Sequence, residues 1–259
     1  MSEKFNKIHE QSLKNPENFW QEASNEIFWY KKPTKILNKD NPPFYKWFED
    51  GITNTCYNAL DLHINEGRGE KLALIYDSPI TGNKKQFTYN ELKDKVSKFA
   101  GALKSKGINK GDRVIIYMPM IPEAVIAMLA CGRIGAVHSV VFGGFASNEL
   151  ASRIDDSKAK ILVTASCGFE PGKTVEYKPL VDEALKMSSH KIETLILFQR
   201  QGNEVKLNFP KEISWDEVIL NAEETDCVEL SSTDYSYILY TSGTTGVPKG
   251  IVRDIGGHI

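Results

Sequence analysis

The sequence predicts an α/β protein built on a mostly parallel, doubly wound sheet. From about residue 70 onward, short apolar runs alternate with segments of helical periodicity. Each run and the segment after it have the length of a βα unit, and repeated units of this kind form a parallel sheet with helices on both faces. A chain of 259 residues can bury roughly 70% of its unfolded surface, so a full core is expected.

The first predicted βα unit has a strand at 71–76, and a turn-rich stretch follows at 77–85. A helix is predicted to begin after Thr88, because Glu91 lies three residues later, in the spacing of a capping box. Gly107 is expected to end this helix. Its apolar face is predicted to consist of Leu92, Val96, Phe99, Ala100 and Leu103.

The remaining predicted elements continue the alternation. Further strands are predicted at 113–118, 138–142, 161–165, 195–198 and 235–240. Further helices are predicted at 122–131, 148–155, 179–187 and 215–221. The first seventy residues lack this rhythm. We therefore expect residues 1–70 to be an extension that wraps an α/β body of residues 71–259.

The composition is typical of a globular enzyme and favours no macromolecular partner. Hydrophobic residues make up 41% and charged residues 25% of the chain, both ordinary values. A net charge of −2 gives no general attraction for nucleic acid or anionic membranes, so neither is expected as a partner. The stretch 121–137 contains Glu123 and Arg133, which favours a buried helix over a membrane span. Residues 1–18 lack an apolar core, which argues against a signal or transit peptide, and we expect a cytoplasmic protein.

The cysteines and histidines show no spacing typical of metal ligands. Cys56, Cys131, Cys167 and Cys227 are scattered, so we expect reduced thiols. His138 lies in an apolar run and is expected to be a strand residue whose ring is hydrogen-bonded. No metal site is predicted from the protein itself.

A run rich in glycine and hydroxyl groups, at 241–250, is the most informative segment. Gly243 and Gly246 let the backbone curve around an anion, and Lys249 adds a compact positive charge. Hydroxyl donors are offered by Thr241, Ser242, Thr244 and Thr245. A predicted strand leads into the run, and open α/β sheets bind ligands where strands end. The run therefore predicts a site for nucleotide phosphates, the alternative being a surface turn of similar composition.

The run differs from the phosphate loop of P-loop nucleotidases, where Ser or Thr follows the lysine and a helix begins. Here Gly250 and the start of another strand follow Lys249. Instead, residues 240–250 resemble the first ATP-binding signature of the adenylate-forming superfamily. This resemblance implies activation of a carboxylate by ATP as an acyl-adenylate, with release of pyrophosphate.

Other segments resemble one branch of that superfamily, the short-chain acyl-CoA synthetases. Segments similar to this branch are Phe19-Trp20, Trp29-Tyr30, 46–51, 58–63 and 140–145. Segments more similar to propionyl-CoA than to acetyl-CoA synthetases are 170–173, 176–179, 181–184 and 253–257. The resemblance implies transfer of a propionyl or acetyl group to the thiol of coenzyme A.

The resemblance also implies a coenzyme A site. Phe142, Gly143 and Gly144 correspond to a turn near the adenine end of coenzyme A, although a tight βα turn without a ligand has the same composition. Two arginines face the coenzyme in acetyl-CoA synthetases. Lys173 falls on the second and keeps its charge, whereas Glu170 falls on the first and reverses it, so only Lys173 is assigned. The alternative for residues 167–173 is an exposed loop.

The resemblance implies ATP, Mg²⁺ and coenzyme A as the cofactor and substrates of a full-length enzyme. In the family, the lysine that contacts the α-phosphate belongs to a carboxy-terminal domain, which is expected to be absent from this chain. Residues 1–70 would then be the amino-terminal extension and residues 71–259 the first part of the AMP-binding domain. We expect no thioester formation by the chain alone and assign no catalytic residue. The alternative is a non-catalytic paralogue that binds nucleotide, coenzyme A or a partner chain.

Overall fold

The structure is a computed structural model, and it describes residues 3–241 and 248–259. The α-helices are α1 (Glu3–Lys14), α2 (Pro16–Ala23), α3 (Tyr89–Ser105), α4 (Pro122–Ile134), α5 (Ser147–Ser157), α6 (Tyr177–Met187) and α7 (Trp215–Leu220). The strands up to the middle of the chain are β1 (Leu37–Asn38), β2 (Lys46–Trp47), β3 (Ile52–Thr53), β4 (Leu72–Ser78), β5 (Asn83–Thr88), β6 (Arg113–Met118) and β7 (Val137–Phe142). The later strands are β8 (Ile161–Ala165), β9 (Cys167–Glu170), β10 (Lys173–Glu176), β11 (Thr194–Phe198), β12 (Glu212–Ser214), β13 (Leu230–Ser231), β14 (Tyr235–Thr241) and β15 (Lys249–Asp254).

A seven-stranded sheet forms the centre of the fold. Its strand order is β12-β11-β8-β6-β7-β14-β15. All neighbouring strands are parallel except β14 and β15, which are antiparallel. The predicted fold class, a mostly parallel and doubly wound sheet, is confirmed.

Helices cover the two faces of the sheet because its central strands are apolar on both sides. Ile116 of β6 packs in one core with helices α3, α4 and α7. Its neighbour Ile115 points the other way, into a second core with helices α5 and α6. Successive side chains of a strand alternate between faces, so a continuously apolar strand requires cover on both.

Helix α3 begins as the sequence predicts. The Thr88 hydroxyl accepts a hydrogen bond from the Glu91 amide, and the Glu91 carboxylate accepts one from the Thr88 amide. Phe99 of α3 stacks on Trp215 of α7, with ring centroids 3.8 Å apart. The stack joins two helices that are over a hundred positions apart in the chain.

Two hairpins differ from the predicted loops. The stretch 77–85 is not a run of turns, because β4 and β5 pair antiparallel from Leu72↔Thr88 to Ser78↔Asn83. The alternative for residues 167–173, an exposed loop, holds only for the exposed tip at 170–173, because β9 and β10 pair from Cys167↔Glu176 to Glu170↔Lys173. Backbone pairing stabilises both hairpins without an apolar alternation that the sequence could reveal.

The amino-terminal region adds no strand to the seven-stranded sheet within the described residues. It packs a small core of Trp29, Ile36 and Phe48, and β3 pairs antiparallel with β13. Asn54 fastens this region to the body by donating to the Gly132, Arg133 and Val228 carbonyls. The described part of the chain includes no helix with the length and apolar composition that crossing a bilayer requires.

Candidate functional site

Three of the segments singled out in the sequence meet at one edge of the sheet. Strands β6, β7, β8 and β14 run parallel, so their carboxyl ends share that edge. The turn after β7 contains Phe142 to Phe145, the hairpin after β8 contains Lys173, and β14 ends at Thr241. Open α/β sheets bind ligands in this position.

The turn after β7 requires glycine at two positions. Gly144 has a φ of +118°, which side chains of L-residues rarely adopt. A Cβ atom at Gly143 would collide with the Tyr177 hydroxyl and lie 2.9 Å from the Met118 carbonyl oxygen. The backbone of this turn is therefore bare and closely packed beneath. Above it, the Phe142 side chain is 68% exposed.

Two tyrosines fix the turn from below. The Tyr117 hydroxyl donates to the Phe145 carbonyl at 2.8 Å, and the Tyr117 and Tyr177 rings lie 5.0 Å apart. Burial raises the pKa of Tyr177 to about 12, with smaller contributions from Tyr117 and Glu170. Burial also raises the pKa of Tyr117. Both phenols are therefore neutral at physiological pH, and the Tyr117 hydroxyl acts as a structural hydrogen-bond donor.

The hairpin of β9 and β10 brings Glu170 beside the turn. Its Oε1 atom lies 3.9 Å from the position that a Cβ atom would take on Gly144. The Lys173 ammonium pairs with the other Glu170 oxygen at 2.9 Å, and both side chains are largely exposed. Lys173 and the turn are thus neighbours, with Glu170 between them.

Thr241 and Lys249 are cross-strand partners at the end of the β14–β15 hairpin. Both are exposed, and Lys249 forms no ion pair within residues 3–241 and 248–259. An exposed hydroxyl facing an unpaired ammonium suits an anionic ligand. The other residues assigned to phosphate binding lie outside the described residues: Ser242, Gly243, Thr244, Thr245 and Gly246.

Helix α5 contacts both the turn and the end of β14. The Arg153 guanidinium lies 5.0 Å from the centroid of the Phe145 ring and 5.2 Å from that of the Tyr240 ring. The Tyr240 hydroxyl donates to Asp156 at 2.7 Å. Burial raises the pKa of Tyr240 most, and the hydrogen bond to Asp156 raises it further. The phenol therefore stays protonated and can donate this bond.

His138 does not have the hydrogen-bonded ring that the sequence suggested. Its Nδ1 atom is enclosed and has no hydrogen-bond partner in the described part of the chain. The ring instead lies 5.6 Å from the Tyr237 ring, beside an apolar groove of about 860 Å³ whose lining includes Met128 and Leu239. Burial lowers the pKa of His138 to about 4, with a smaller contribution from His258.

A second cluster lies away from this edge, where the amino-terminal region meets α4. Cys56, Asp61 and Cys227 bring their ligand atoms within 4.8 Å of one another, although the four cysteines look scattered in the sequence. The Arg133 guanidinium is bound to all three residues, at 2.7 Å from Asp61 and 3.1 Å from Cys227. This positive charge opposes a metal cation at the same place. We therefore assign the cluster to structure.

Residues that the sequence reasoning missed support the site from several elements. Tyr117 and Arg153 were not singled out, because each looks like an ordinary strand or helix residue, and Tyr177 was noted only within segment 176–179, with no role at the site. Their partners become neighbours only through the order of strands in the sheet. The one signal in the sequence was Phe145, an aromatic residue at the end of a glycine turn.

Comparisons with known proteins match nearly the whole chain. The model of the AMP-binding enzyme family matches residues 63–258. The model described as the acetyl-coenzyme A synthetase N-terminus matches residues 5–59. Only residues 60–62 lie between the two matches.

Curated relatives and solved structures include synthetases that act with coenzyme A. A human protein named acyl-CoA synthetase short-chain family member 3, mitochondrial, is 53% identical over 95% of this chain and 36% of its own length. An acetyl-coenzyme A synthetase of Streptomyces coelicolor is 44% identical over 97% of this chain and 38% of its own. The structure of an acetoacetyl-CoA synthetase from Streptomyces lividans has a TM-score of 0.86 and 25% identity, covering 96% of this chain and 38% of that one. The chain thus spans little more than a third of the length of these relatives.

Proposed function

This chain belongs to the AMP-binding enzyme family, and on that premise we propose that it is the amino-terminal part of an AMP-forming short-chain acyl-CoA ligase. The complete reaction joins a short carboxylate to the thiol of coenzyme A and converts ATP to AMP and pyrophosphate through an acyl-adenylate. The observation that carries the proposal is the meeting of the Phe142–Phe145 turn, the Lys173 hairpin and Thr241 at one edge of the sheet.

We propose propionate as the first candidate substrate and acetate as the second. Identity is 53% with the human short-chain family member 3 and 44% with the Streptomyces acetyl-coenzyme A synthetase. Both relatives support a short carboxylate, and the segments similar to propionyl-CoA synthetases favour propionate.

The run 241–249 would bind the phosphates of ATP. Amide N–H and hydroxyl groups would donate hydrogen bonds to the pyrophosphate as it leaves, and Lys249 would neutralise part of its negative charge. The pair of Thr241 and Lys249 fits this role, since both are exposed and Lys249 is unpaired in the described part of the chain. Mg²⁺ bound together with ATP would neutralise more of the phosphate charge. The Thr241 hydroxyl oxygen would offer the ion a ligand.

The turn after β7 and Lys173 would bind the nucleotide end of coenzyme A. Phe142 presents an exposed ring on which a flat base can stack. Gly143 and Gly144 leave the backbone open to close approach, and Lys173 supplies a positive charge for phosphate. Its pairing with Glu170 would have to open or be shared for this contact.

The domain division and the cellular location belong to the same proposal. Residues 1–70 would be the extension of short-chain synthetases and residues 71–259 the first part of the AMP-binding domain. We propose a cytoplasmic location, with small molecules rather than nucleic acid or membranes as partners. The human relative is named as a mitochondrial protein, so a relative of the same family works in another compartment.

Ligand binding and ATP–pyrophosphate exchange test this function. We expect the 259-residue chain to bind MgATP and coenzyme A saturably in calorimetry. We expect no exchange by the chain alone with acetate, propionate or butyrate. Joined to the part of the Streptomyces acetyl-coenzyme A synthetase that lies beyond the match, it should support exchange with short carboxylates.

Lys249→Ala should weaken MgATP binding about tenfold and leave coenzyme A binding unchanged, since one charge-assisted contact is lost. Lys35→Ala is the matched control, an exposed lysine in the amino-terminal region, and should change neither affinity. A folded chain that binds neither ligand, and whose chimera shows no exchange, would contradict the proposed function. Binding of ATP without exchange by the chimera would favour the non-catalytic alternative.

A further inference from the structure

Helix α5 lies between the two segments assigned to coenzyme A and to ATP, and Arg153 is its contact with both. The guanidinium faces the Phe145 ring at 5.0 Å and the Tyr240 ring at 5.2 Å. The Arg153 side chain is only 7% exposed. One buried cation is therefore shared by two rings that lie on different strand ends.

Arg153 is held in this position by its own helix. Its Nη1 atom donates to the Glu149 carbonyl at 2.6 Å and to the Glu149 carboxylate at 2.8 Å. Both bonds arise one helical turn away, so they fix the guanidinium relative to the axis of α5. These bonds anchor the guanidinium on α5, and the Phe145 and Tyr240 rings pack against the anchored group.

Each of the two residues also has a second contact with the body, Phe145 through its backbone and Tyr240 through its hydroxyl. The Phe145 carbonyl accepts a hydrogen bond from Tyr117 at 2.8 Å. The Tyr240 hydroxyl donates to Asp156, one turn of α5 beyond Arg153, at 2.7 Å. Neither second contact joins the turn to strand β14. Arg153 therefore provides a direct link between them.

We propose that Arg153 is a positioning residue that couples the coenzyme turn to the strand leading into the phosphate-binding run. A planar guanidinium can face a ring on each side, which an ammonium group cannot reproduce in the same way. Displacement of Phe145 then shifts Arg153 and Tyr240, which directly precedes Thr241 in the chain. This inference rests on the proposed function and deepens it, because it joins the two ligand segments.

A double-mutant cycle measures this coupling. Phe145→Leu should weaken the binding of MgATP about threefold, although Phe145 belongs to the coenzyme turn. In an Arg153→Met background, Phe145→Leu should cause no further loss of MgATP affinity. Arg153→Lys keeps the charge beside Glu149 and should fall between the wild type and Arg153→Met. The proposal would be overturned if the fold-losses in MgATP affinity caused by Phe145→Leu and by Arg153→Met multiplied in the double variant.

Arg113→Met is the matched control. Arg113, the first residue of β6, also contacts α5, where it donates to the carbonyls of Ser157, the last residue of the helix, and of Lys158. This variant removes an arginine that contacts the same helix from strand β6, and its bonds involve neither Phe145 nor Tyr240. It should leave the affinities for MgATP and coenzyme A unchanged. An equal loss of affinity in Arg113→Met would mean a general structural effect and would overturn the coupling.

Hydrogen–deuterium exchange separates this inference from the proposed function, because it needs no ligand. In Arg153→Met, amide exchange should accelerate together in residues 142–146 and 235–241, and in Arg113→Met it should accelerate in neither. Acceleration in one of the two segments alone would overturn the coupling. If the wild type bound neither MgATP nor coenzyme A, the proposed function would fail, and the exchange data would still decide whether Arg153 couples the segments.

Discussion

Arg133 and Arg153 are both buried arginines on helices that pack against the sheet, yet their surroundings differ. Arg133 is wholly enclosed and donates two hydrogen bonds to the Asp61 carboxylate, with further bonds to Thr225 and the cysteine cluster. Arg153 faces two aromatic rings and pairs with a carboxylate that is 39% exposed. The first joins the amino-terminal region to the body, and the second joins two segments at the candidate site.

The difference shows how one residue type serves stability in one region and site geometry in another. A guanidinium with its hydrogen bonds made to a buried carboxylate cannot move without leaving a charge unpaired, so its value lies in folding. Burial alone would lower the pKa of Arg133, but the bond to Asp61 raises it, so the group stays charged. Removing a guanidinium from between two rings costs less unfolding free energy. Its main effect is that the two rings are no longer held in a fixed relative position.

The largest expected effect is that of Arg133→Met. It leaves the Asp61 carboxylate, which is only 16% exposed, without its arginine partner and should lower the free energy of unfolding by about 3–5 kcal/mol. Urea denaturation followed by circular dichroism measures this value. The double variant Arg133→Met, Asp61→Leu removes both charges and should recover much of the loss. If the free energy of unfolding of Arg133→Met were within about 1 kcal/mol of that of the wild type, the role of Arg133 in folding stability would be contradicted.

The next effect is that of Gly143→Ala, in the region of Arg153. The added methyl group meets the Tyr177 hydroxyl and the Met118 carbonyl oxygen, and overpacking of this kind costs about 1–3 kcal/mol. Coenzyme A binding should weaken as the turn shifts. In a Tyr177→Phe background the thermal unfolding midpoint should fall less, because the atom nearest the added methyl group, the Tyr177 hydroxyl oxygen, is gone. An equal fall in both backgrounds would show that Tyr177 does not limit the turn.

Arg153→Met should cost less stability than Arg133→Met. It removes two cation–ring contacts and a partly exposed ion pair but keeps most of the side-chain volume, so we expect about 1–2 kcal/mol. Chemical denaturation of both variants under the same conditions gives the ratio of their losses in unfolding free energy. If Arg153→Met destabilised the chain as much as Arg133→Met, the division between folding and positioning would be wrong.

His138 provides the smallest effect and sharpens the comparison, because its Nδ1 atom is enclosed and has no hydrogen-bond partner among residues 3–241 and 248–259. Its pKa is about 4 in the folded chain and near 6.5 when unfolded. Between these values the unfolded chain binds more protons, so stability should fall as the pH falls through this window. Since the ring is half-buried, we expect a loss of about 1 kcal/mol between pH 7 and pH 5.

The matched variants for this pH dependence are His138→Leu and His9→Gln. The first removes the titrating group and should flatten the dependence of stability between pH 7 and pH 5. The second changes an exposed histidine of α1 and should leave the dependence as in the wild type. Equal slopes for wild type and His138→Leu would show that other groups cause the dependence.

The sequence predicted the parts of the fold whose signal is local. Strands β6 and β8 have the predicted bounds because nearly all of their residues are apolar. Helix α3 begins at its capping box, as predicted. Strand β5 was missed because the residues from Asn83 to Gln86 are polar and exposed. Its pairing with β4 uses the backbone, which a pattern of side chains does not reveal.

The candidate site was predictable in its segments but not in its connections. Phe142, Lys173 and Thr241 could be singled out because each lies at a predicted strand end or in a motif. The contact of Arg153 with Phe145 and Tyr240 could not be derived, because it depends on β14 lying beside β7. The meeting of Asp61 with Arg133 depends in the same way on the packing of the amino-terminal region.

The pairing of β3 with β13 has a consequence for the order of folding. Ser232 donates to the Gly51 carbonyl across 181 positions, and Asn54 donates to Val228 across 174. Closing loops of this length costs chain entropy before any contact is gained, which slows the step. During synthesis, the region around Gly51 emerges early, yet it cannot be fastened until residues near 232 have emerged and taken their place.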